Sequence, residues 1–159
     1  MKESTKNVIL TLASIVFAGL VIVFFAVPNV SFDAVITTET ASGFDYYDAG
    51  SDFMKAMLII TMIFACLTVL FAIFKMLVDA KLIKSKSVAK FINFLFIVSA
   101  IALVVSSILY MISVITMCND SSISIGDYTS MTPVYWSIIL MPVFALISLV
   151  CAFMARSKK

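Results

Sequence analysis

The sequence predicts an all-α integral membrane protein: a four-transmembrane-helix bundle, N-in/C-in, with a short β-hairpin in the longer first outer loop. Composition is one reason. Of 159 residues, 63% are hydrophobic and only 13% are charged. Ordinary soluble domains carry about 25% charged residues. A water-soluble fold would expose much of this apolar surface and aggregate, so lipid is the solvent. Run length is another. Four apolar stretches reach the roughly 20 helical residues that cross about 30 Å of hydrocarbon. The third is charge placement, which puts nearly every cation on one side of the four runs.

In chain order, the first span covers about 8–27. "VILTLASIVFAGLVIVFFAV" is uncharged and stops at Pro28-Asn29. Its basic start, "MKESTK", suits a signal peptide, but the run exceeds the usual apolar core of about 7–15 residues and no small-x-small site follows. An uncleaved anchor is expected. The outer loop 28–55 comes next, where "VSFDAVITT" has enough Val, Ile, Thr and Phe for a short strand or hairpin. The second span, about 56–77, has its apolar run from Ala56 to Phe74. Lys55 and Lys75 bracket that run, with heads able to snorkel to opposite surfaces. After a cytoplasmic loop, 78–90, the third span, about 91–117, is long enough to tilt or project beyond the lipid. The second outer loop is 118–133. There Thr132-Pro133 reads as an N-cap with Pro at the first helical position, opening a fourth span, about 134–155. The whole, 1–159, is one membrane domain. A faint echo between "FACLTVLFAIF" (64–74) and "FALISLVCAFM" (144–154) reads as chance plus shared membrane composition, with duplication of a two-span unit as the alternative.

The cations orient the chain. Four spans put both termini and loop 78–90 on one side, with Lys2, Lys6, Lys75, Lys81, Lys84, Lys86, Lys90, Arg156, Lys158 and Lys159. The other side keeps Lys55 alone. By the positive-inside rule the Lys-rich side is cytoplasmic. Asp33, Glu39, Asp45, Asp48, Asp52, Asp120 and Asp127 then fall outside. Tyr46, Tyr47, Tyr128, Tyr135 and Trp136 meet the outer headgroups, which suit amphipathic rings. The preference for Lys over Arg, with many Ile, points to an AT-rich genome and a bacterial plasma membrane.

Helices in lipid gain little hydrophobic drive from meeting one another. Small residues and interhelical hydrogen bonds hold them instead. Each span carries a small-residue stripe at alternating three and four spacing: Thr11, Ser14 and Ala18; Thr61, Ala65, Thr68 and Ala72; Ser99, Ala102 and Ser106, then Ser113 and Thr116; Ser148, Cys151 and Ala155. This is the seam of left-handed packing, and these faces are expected to point inward. Pro142 cannot donate to Ile138 and should kink the fourth span, with Ser137 helping to satisfy the freed carbonyl.

Chemistry is sparse. The chain has no His, hence no ready proton shuttle and none of the commonest metal ligand. The uncharged spans lack the embedded ionisable groups of ion-coupled transporters and proton relays. Ser and Thr have no base at their depth, so no enzyme is expected. No catalytic, cofactor or metal site is assigned. "FDYYDAGSDFMKAM" (44–57) was the strongest candidate for a cation site. Asp45, Asp48 and Asp52 would share a helical face if the second helix began early, but the stretch lacks the ligand alternation of a calcium loop. A solvated acidic loop is preferred. With Tyr46, Tyr47, Asp127 and Tyr128 these acids form the candidate outer contact surface. Cys66 and Cys151 read as small packing residues and Cys118 as a free or intermolecular thiol. Asn29-Val30-Ser31 and Asn119-Asp120-Ser121 match the glycosylation pattern. The loop order resembles that of claudin-type four-span proteins, but this first loop has neither their Trp motif nor their Cys pair, so only the layout is shared.

The expected function is that of a small non-catalytic multi-pass membrane protein, a subunit, accessory or scaffold of a membrane complex. The alternative is an oligomeric channel or passive transporter with a path lined by Ser99, Ser106, Ser107 and Ser113. The expected partners are the bilayer and another membrane protein or a second copy. No nucleic acid and no cofactor are expected.

Overall fold

The computed structural model describes residues 3–34, 37–45, 47–48, 50–83, 85–119 and 128–155. The chain is mostly helical. Its four helices are α1 (Glu3–Phe24), α2 (Asp52–Asp79), α3 (Lys86–Asn119) and α4 (Tyr135–Met154). Each contains a segment long and apolar enough to cross a membrane. The connections α1–α2 and α3–α4 contribute strands: β1 (Pro28–Ala34), β2 (Thr38–Ser42) and β3 (Tyr128–Pro133).

The helices pack in the cyclic order α1–α2–α3–α4, with α1 closing on α4. Along that last contact Ser14 meets Ser148, Phe17 meets Phe144 and Phe24 meets Trp136. Rising numbers on one helix meet falling numbers on the other, so α1 and α4 are antiparallel. The buried positions of α2 are Met54, Leu58, Thr61, Ala65, Thr68, Ala72 and Lys75, and those of α4 are Ser137, Ile138, Met141, Ala145, Ser148 and Ala152. From Leu58 and from Ile138 onward both sets alternate three and four, the period of a knobs-into-holes seam. At half-chain offset the two patterns coincide, because both helices obey that one period.

Helix α3 departs from the expected stripe. Ser99, Ser106 and Ser113 are buried, but so are Ala100, Leu103, Ser107, Tyr110 and Val114. Ala102 is only half-buried and lies on the flank. A helix in the ring touches two neighbours and presents a face wider than one seam, so large residues share it with the serines. Cys66 also departs. It is exposed on the outward face of α2 and packs against no neighbouring helix core. In α4, Ala152 takes the buried place, and Cys151 beside it is half-buried.

Helix ends depart in instructive ways. The turn after α1 tightens through three successive i to i+3 bonds, from Phe25, Ala26 and Val27 to Ile22, Val23 and Phe24. Asn29 then sits at a bulge in β1. Thr132-Pro133 does not open α4. Both residues belong to β3, Val134 is the N-cap, and no side chain caps it. The sheet claims Thr132 through its pairing with Ser31. Helix α4 runs through Pro142 from Tyr135 to Met154. Ser137 does not serve Ile138: its hydroxyl lies 2.6 Å from the carbonyl oxygen of Pro28.

Helix α2 closes in a Schellman motif. The Leu82 N–H donates to Leu77 and the Lys81 N–H to Val78. Lys81 sits at φ 62°, a left-handed conformation for a residue with a β-carbon. That conformation costs about 1–2 kcal/mol for an L-residue. Lys81→Gly is therefore expected to stabilise the fold by roughly 0.5–1 kcal/mol, after the extra unfolded-state entropy of glycine is subtracted. Thermal unfolding in detergent checks this, with Lys81→Ala as the control that should bring no gain.

The sheet has the order β2-β1-β3, antiparallel throughout. β1 is central, pairing Phe32 with Glu39 on one side and with Met131 on the other. Val30 and Phe32 are buried, so alternate β1 residues face the bundle. A hairpin in the first loop is thus present, but it recruits the second loop as a third strand.

Candidate functional site

Among the described residues, buried polar side chains gather mainly in three places: the helix seams, the junction between sheet and bundle, and the far end of α2. The seam hydroxyls are all engaged. Thr11, Thr61 and Thr68 donate to the carbonyls of Asn7, Met57 and Phe64, one turn back. Ser99, Ser106, Ser107 and Ser113 donate to Phe96, Leu103, Val104 and Tyr110. Back-bonding of this kind satisfies a hydroxyl within its own helix. The four serines of the alternative path therefore have their protons committed locally.

One seam pair crosses between helices. The hydroxyls of Ser14 and Ser148 lie 2.8 Å apart, and each lies 3.0 Å from the other's backbone carbonyl oxygen. Both side chains are fully buried. Only residues this small let the α1 and α4 backbones approach so closely. Ser14→Ala should destabilise the bundle by about 0.6–1.7 kcal/mol. Adding Ser148→Ala removes the remaining bond from the Ser148 hydroxyl to the Ser14 carbonyl, and the double change should cost less than the two single changes summed, since the hydroxyl–hydroxyl contact is lost only once. A reversible unfolding titration in mixed micelles measures both. Ala18, Ala65 and Ala72 continue the packing in the same interior, each without exposure.

The junction between sheet and bundle centres on Asn29 and Ser137, both fully buried. The Asn29 amide donates to the Phe24 carbonyl at 3.3 Å, and its side-chain oxygen lies 3.2 Å from the Ser137 hydroxyl. The Val134 N–H donates to the Asn29 carbonyl at 2.9 Å. One residue therefore links the end of α1, the start of β1 and the start of α4. This excludes Asn29 as a glycan carrier in the folded chain, because its amide nitrogen is enclosed and hydrogen-bonded. Asn119 of the other match is exposed at the end of α3, but the rest of that motif lies outside the described residues. Tyr110 belongs to the same junction. It is fully buried and meets Phe25 edge-on at 5.0 Å. Against it stands Gly43, where a β-carbon would lie 2.6 Å from the Tyr110 hydroxyl oxygen. Nothing in the sequence singles out Tyr110, since an aromatic within a span reads as ordinary lipid-facing bulk.

The candidate contact surface lies just beyond. Helix α2 begins at Asp52, with Ser51 as its N-cap accepting from the Met54 N–H at 3.2 Å. Asp45 and Asp48 precede it in turns, so the three acids do not share a helical face. Asp45 accepts from the Ser42 hydroxyl at 2.7 Å and the Ser42 N–H at 2.9 Å. These bonds hold its carboxyl below the ordinary carboxylate value. Lys55 donates to the Asp48 carbonyl at 2.9 Å and lies 5.8 Å from the Tyr47 ring centroid. Among the described residues no three His, Cys, Asp or Glu side chains gather to hold a metal ion. Tyr46 and Asp127 lie outside the described residues. Tyr128 is placed only as the first residue of β3, pairing with Ala34. The structure thus brings Asp45, Tyr47, Asp48 and Asp52 into one segment and leaves their relation to Asp127 unassigned.

At the far end of α2, Lys75 does not snorkel. It is 3% exposed and donates to both oxygens of the Asp79 carboxylate, at 2.6 Å to Oδ1. Asn7 is also buried. Asn93 Oδ1 is enclosed with no hydrogen-bond partner among the described residues. The burial of Lys75 follows from the seam, which continues three residues past Ala72 and carries Lys75 to the interior.

No family model, curated protein or solved structure matches this chain.

Proposed function

We propose that this chain is a small non-catalytic multi-pass membrane protein that serves as a subunit, accessory or scaffold of a membrane complex. In this reading the four helices form an N-in/C-in bundle in a bacterial plasma membrane, with both termini cytoplasmic on the strength of the lysine distribution. The outer loops meet another membrane protein or a second copy.

One observation supports the reading above the rest. The interior hydroxyls are turned onto their own helices or onto each other, while the outer segment keeps its contact-capable groups exposed. β2 is an edge strand, with Thr38, Glu39 and Thr40 exposed, and edge strands accept further strands. Phe44, Phe53 and the acids Asp45, Asp48 and Asp52 are exposed in the stretch that follows.

Co-purification from native membrane in mild detergent, with in-membrane cross-linking from Glu39 or Asp48 replaced by a photoreactive residue, tests the proposal. A specific cross-linked partner or homodimer is expected. A lone monomer under these conditions overturns it. Reporter tags on the two ends test the orientation, and opposite compartments for the two tags would refute it.

A further inference from the structure

We propose that the exposed lysines around the α2–α3 turn form a binding surface for the headgroups of anionic phospholipids. The reason begins with Asp79. It is the sole acid between Asp52 and Asp120, and it is bound to the buried Lys75. Lys81, Lys86 and Lys90 are exposed, and no ion pair reaches them among the described residues. The one carboxylate that the sequence places near the α2–α3 turn is thus bound to Lys75.

Helix geometry sets the depth of these cations. Lys86, Lys90, Phe94 and Val98 succeed one another at four-residue steps, so they form one stripe on α3. All four are exposed, Phe94 at 61%. The stripe changes from cationic to apolar within one turn, about 6 Å of helix axis. Phe94 and Val98 face acyl chains, and Lys90 and Lys86 then stand at the level of the phosphates and just beyond. Helix α3 has 34 residues and is about 51 Å long, which exceeds the hydrocarbon layer and leaves room for this projecting turn.

The turn itself adds an anchor. The left-handed Lys81 reverses the chain, and Leu82 after it is 71% exposed. An apolar side chain presented between cations at a membrane edge enters the acyl boundary while its neighbours stay with the headgroups. Juxtamembrane lysines draw anionic lipid by Coulomb attraction confined to about a Debye length. Zwitterionic headgroups offer no net charge to exploit.

The experiment uses the full chain in dodecyl maltoside, with short-chain phosphatidylglycerol, phosphatidylcholine or inorganic phosphate added. Thermal stability and lipid retention in native mass spectrometry are read. Phosphatidylglycerol should raise the midpoint by several degrees and remain bound, with phosphatidylcholine and phosphate doing neither. Replacing Lys81, Lys86 and Lys90 by Gln should weaken phosphatidylglycerol binding roughly fivefold per lysine. Should that variant fold poorly, the wild type in rising salt gives a second reading. The phosphatidylglycerol effect should vanish between about 0.05 and about 0.5 M salt. Equal stabilisation by phosphatidylcholine or by phosphate alone, an unchanged triple variant, or a salt-independent effect would each overturn the proposal.

Discussion

Asp79→Asn is expected to be the most damaging single isosteric change in the chain, destabilising it by about 3–5 kcal/mol. Lys75 is 3% exposed, and its ammonium is bound to both carboxylate oxygens of Asp79. With the carboxylate gone, a cation remains enclosed without a counter-charge. Local helix electrostatics do not explain why the pair exists. Lys preceding an acid by four residues is the poorer orientation, and an acid in the last turn opposes the helix dipole. Burial explains it, because the interior position forces Lys75 to find an anion within reach. The prediction has a second half. Replacing both partners, Lys75→Met with Asp79→Leu, should return stability to within about 1 kcal/mol of the wild type, since an apolar pair needs no compensation. Reversible unfolding in mixed micelles separates the outcomes. If Asp79→Asn costs under about 1 kcal/mol, water reaches Lys75 and the pair is an ordinary surface contact.

The pair also marks where the sequence was legible and where it was not. Run length and hydropathy located four helices because a membrane imposes length directly. The helix ends were less readable. Helix α1 ends at Phe24, α2 starts at Asp52, and Thr132-Pro133 is strand. At two of these places a contact distant in sequence decides, Asn29 with Ser137 and Ser31 with Thr132, while the α2 start is set by the local Ser51 cap. Lys75 was misread for a related reason. Its position in the sequence placed it at a span edge, but the three-and-four register that buries Ala72 also turns Lys75 inward. Small residues were readable as seams because their size is a local property. Ala102 and Cys66 were not, since which flank of a helix meets a neighbour depends on where that neighbour stands. The outer contact segment was visible as a cluster of acids and aromatics. Tyr110, which supports it from below, was hidden within an apolar run.

Gly43 is where that support is most exposed to test. It follows the last residue of β2 and has neither a strained backbone angle nor open space around it. A β-carbon there would meet the Tyr110 hydroxyl oxygen at 2.6 Å, Leu58 Cδ1 at 3.3 Å and Asn29 Nδ2 at 3.4 Å. Tyr110 cannot yield cheaply. Its ring is fully buried against Phe25, and interiors transmit strain where packing is dense. Gly43→Ala should therefore destabilise by about 1–3 kcal/mol, and Gly43→Val by more. Cutting back the obstacle should relieve it. In a double-mutant cycle, Gly43→Ala with Tyr110→Phe should cost about 1 kcal/mol less than the two changes summed. Additive costs would mean that the hydroxyl is not what Gly43 makes room for. Amide exchange supplies a spatial check. Loosening should concentrate in β1 and β2, which Gly43 docks onto the helices, while the Ser14–Ser148 seam keeps its protection. If a partner binds the outer segment, Gly43→Ala should weaken its cross-link at Asp48 while the chain still inserts as four helices. The contact groups would be unchanged, and only the platform that presents them would have moved.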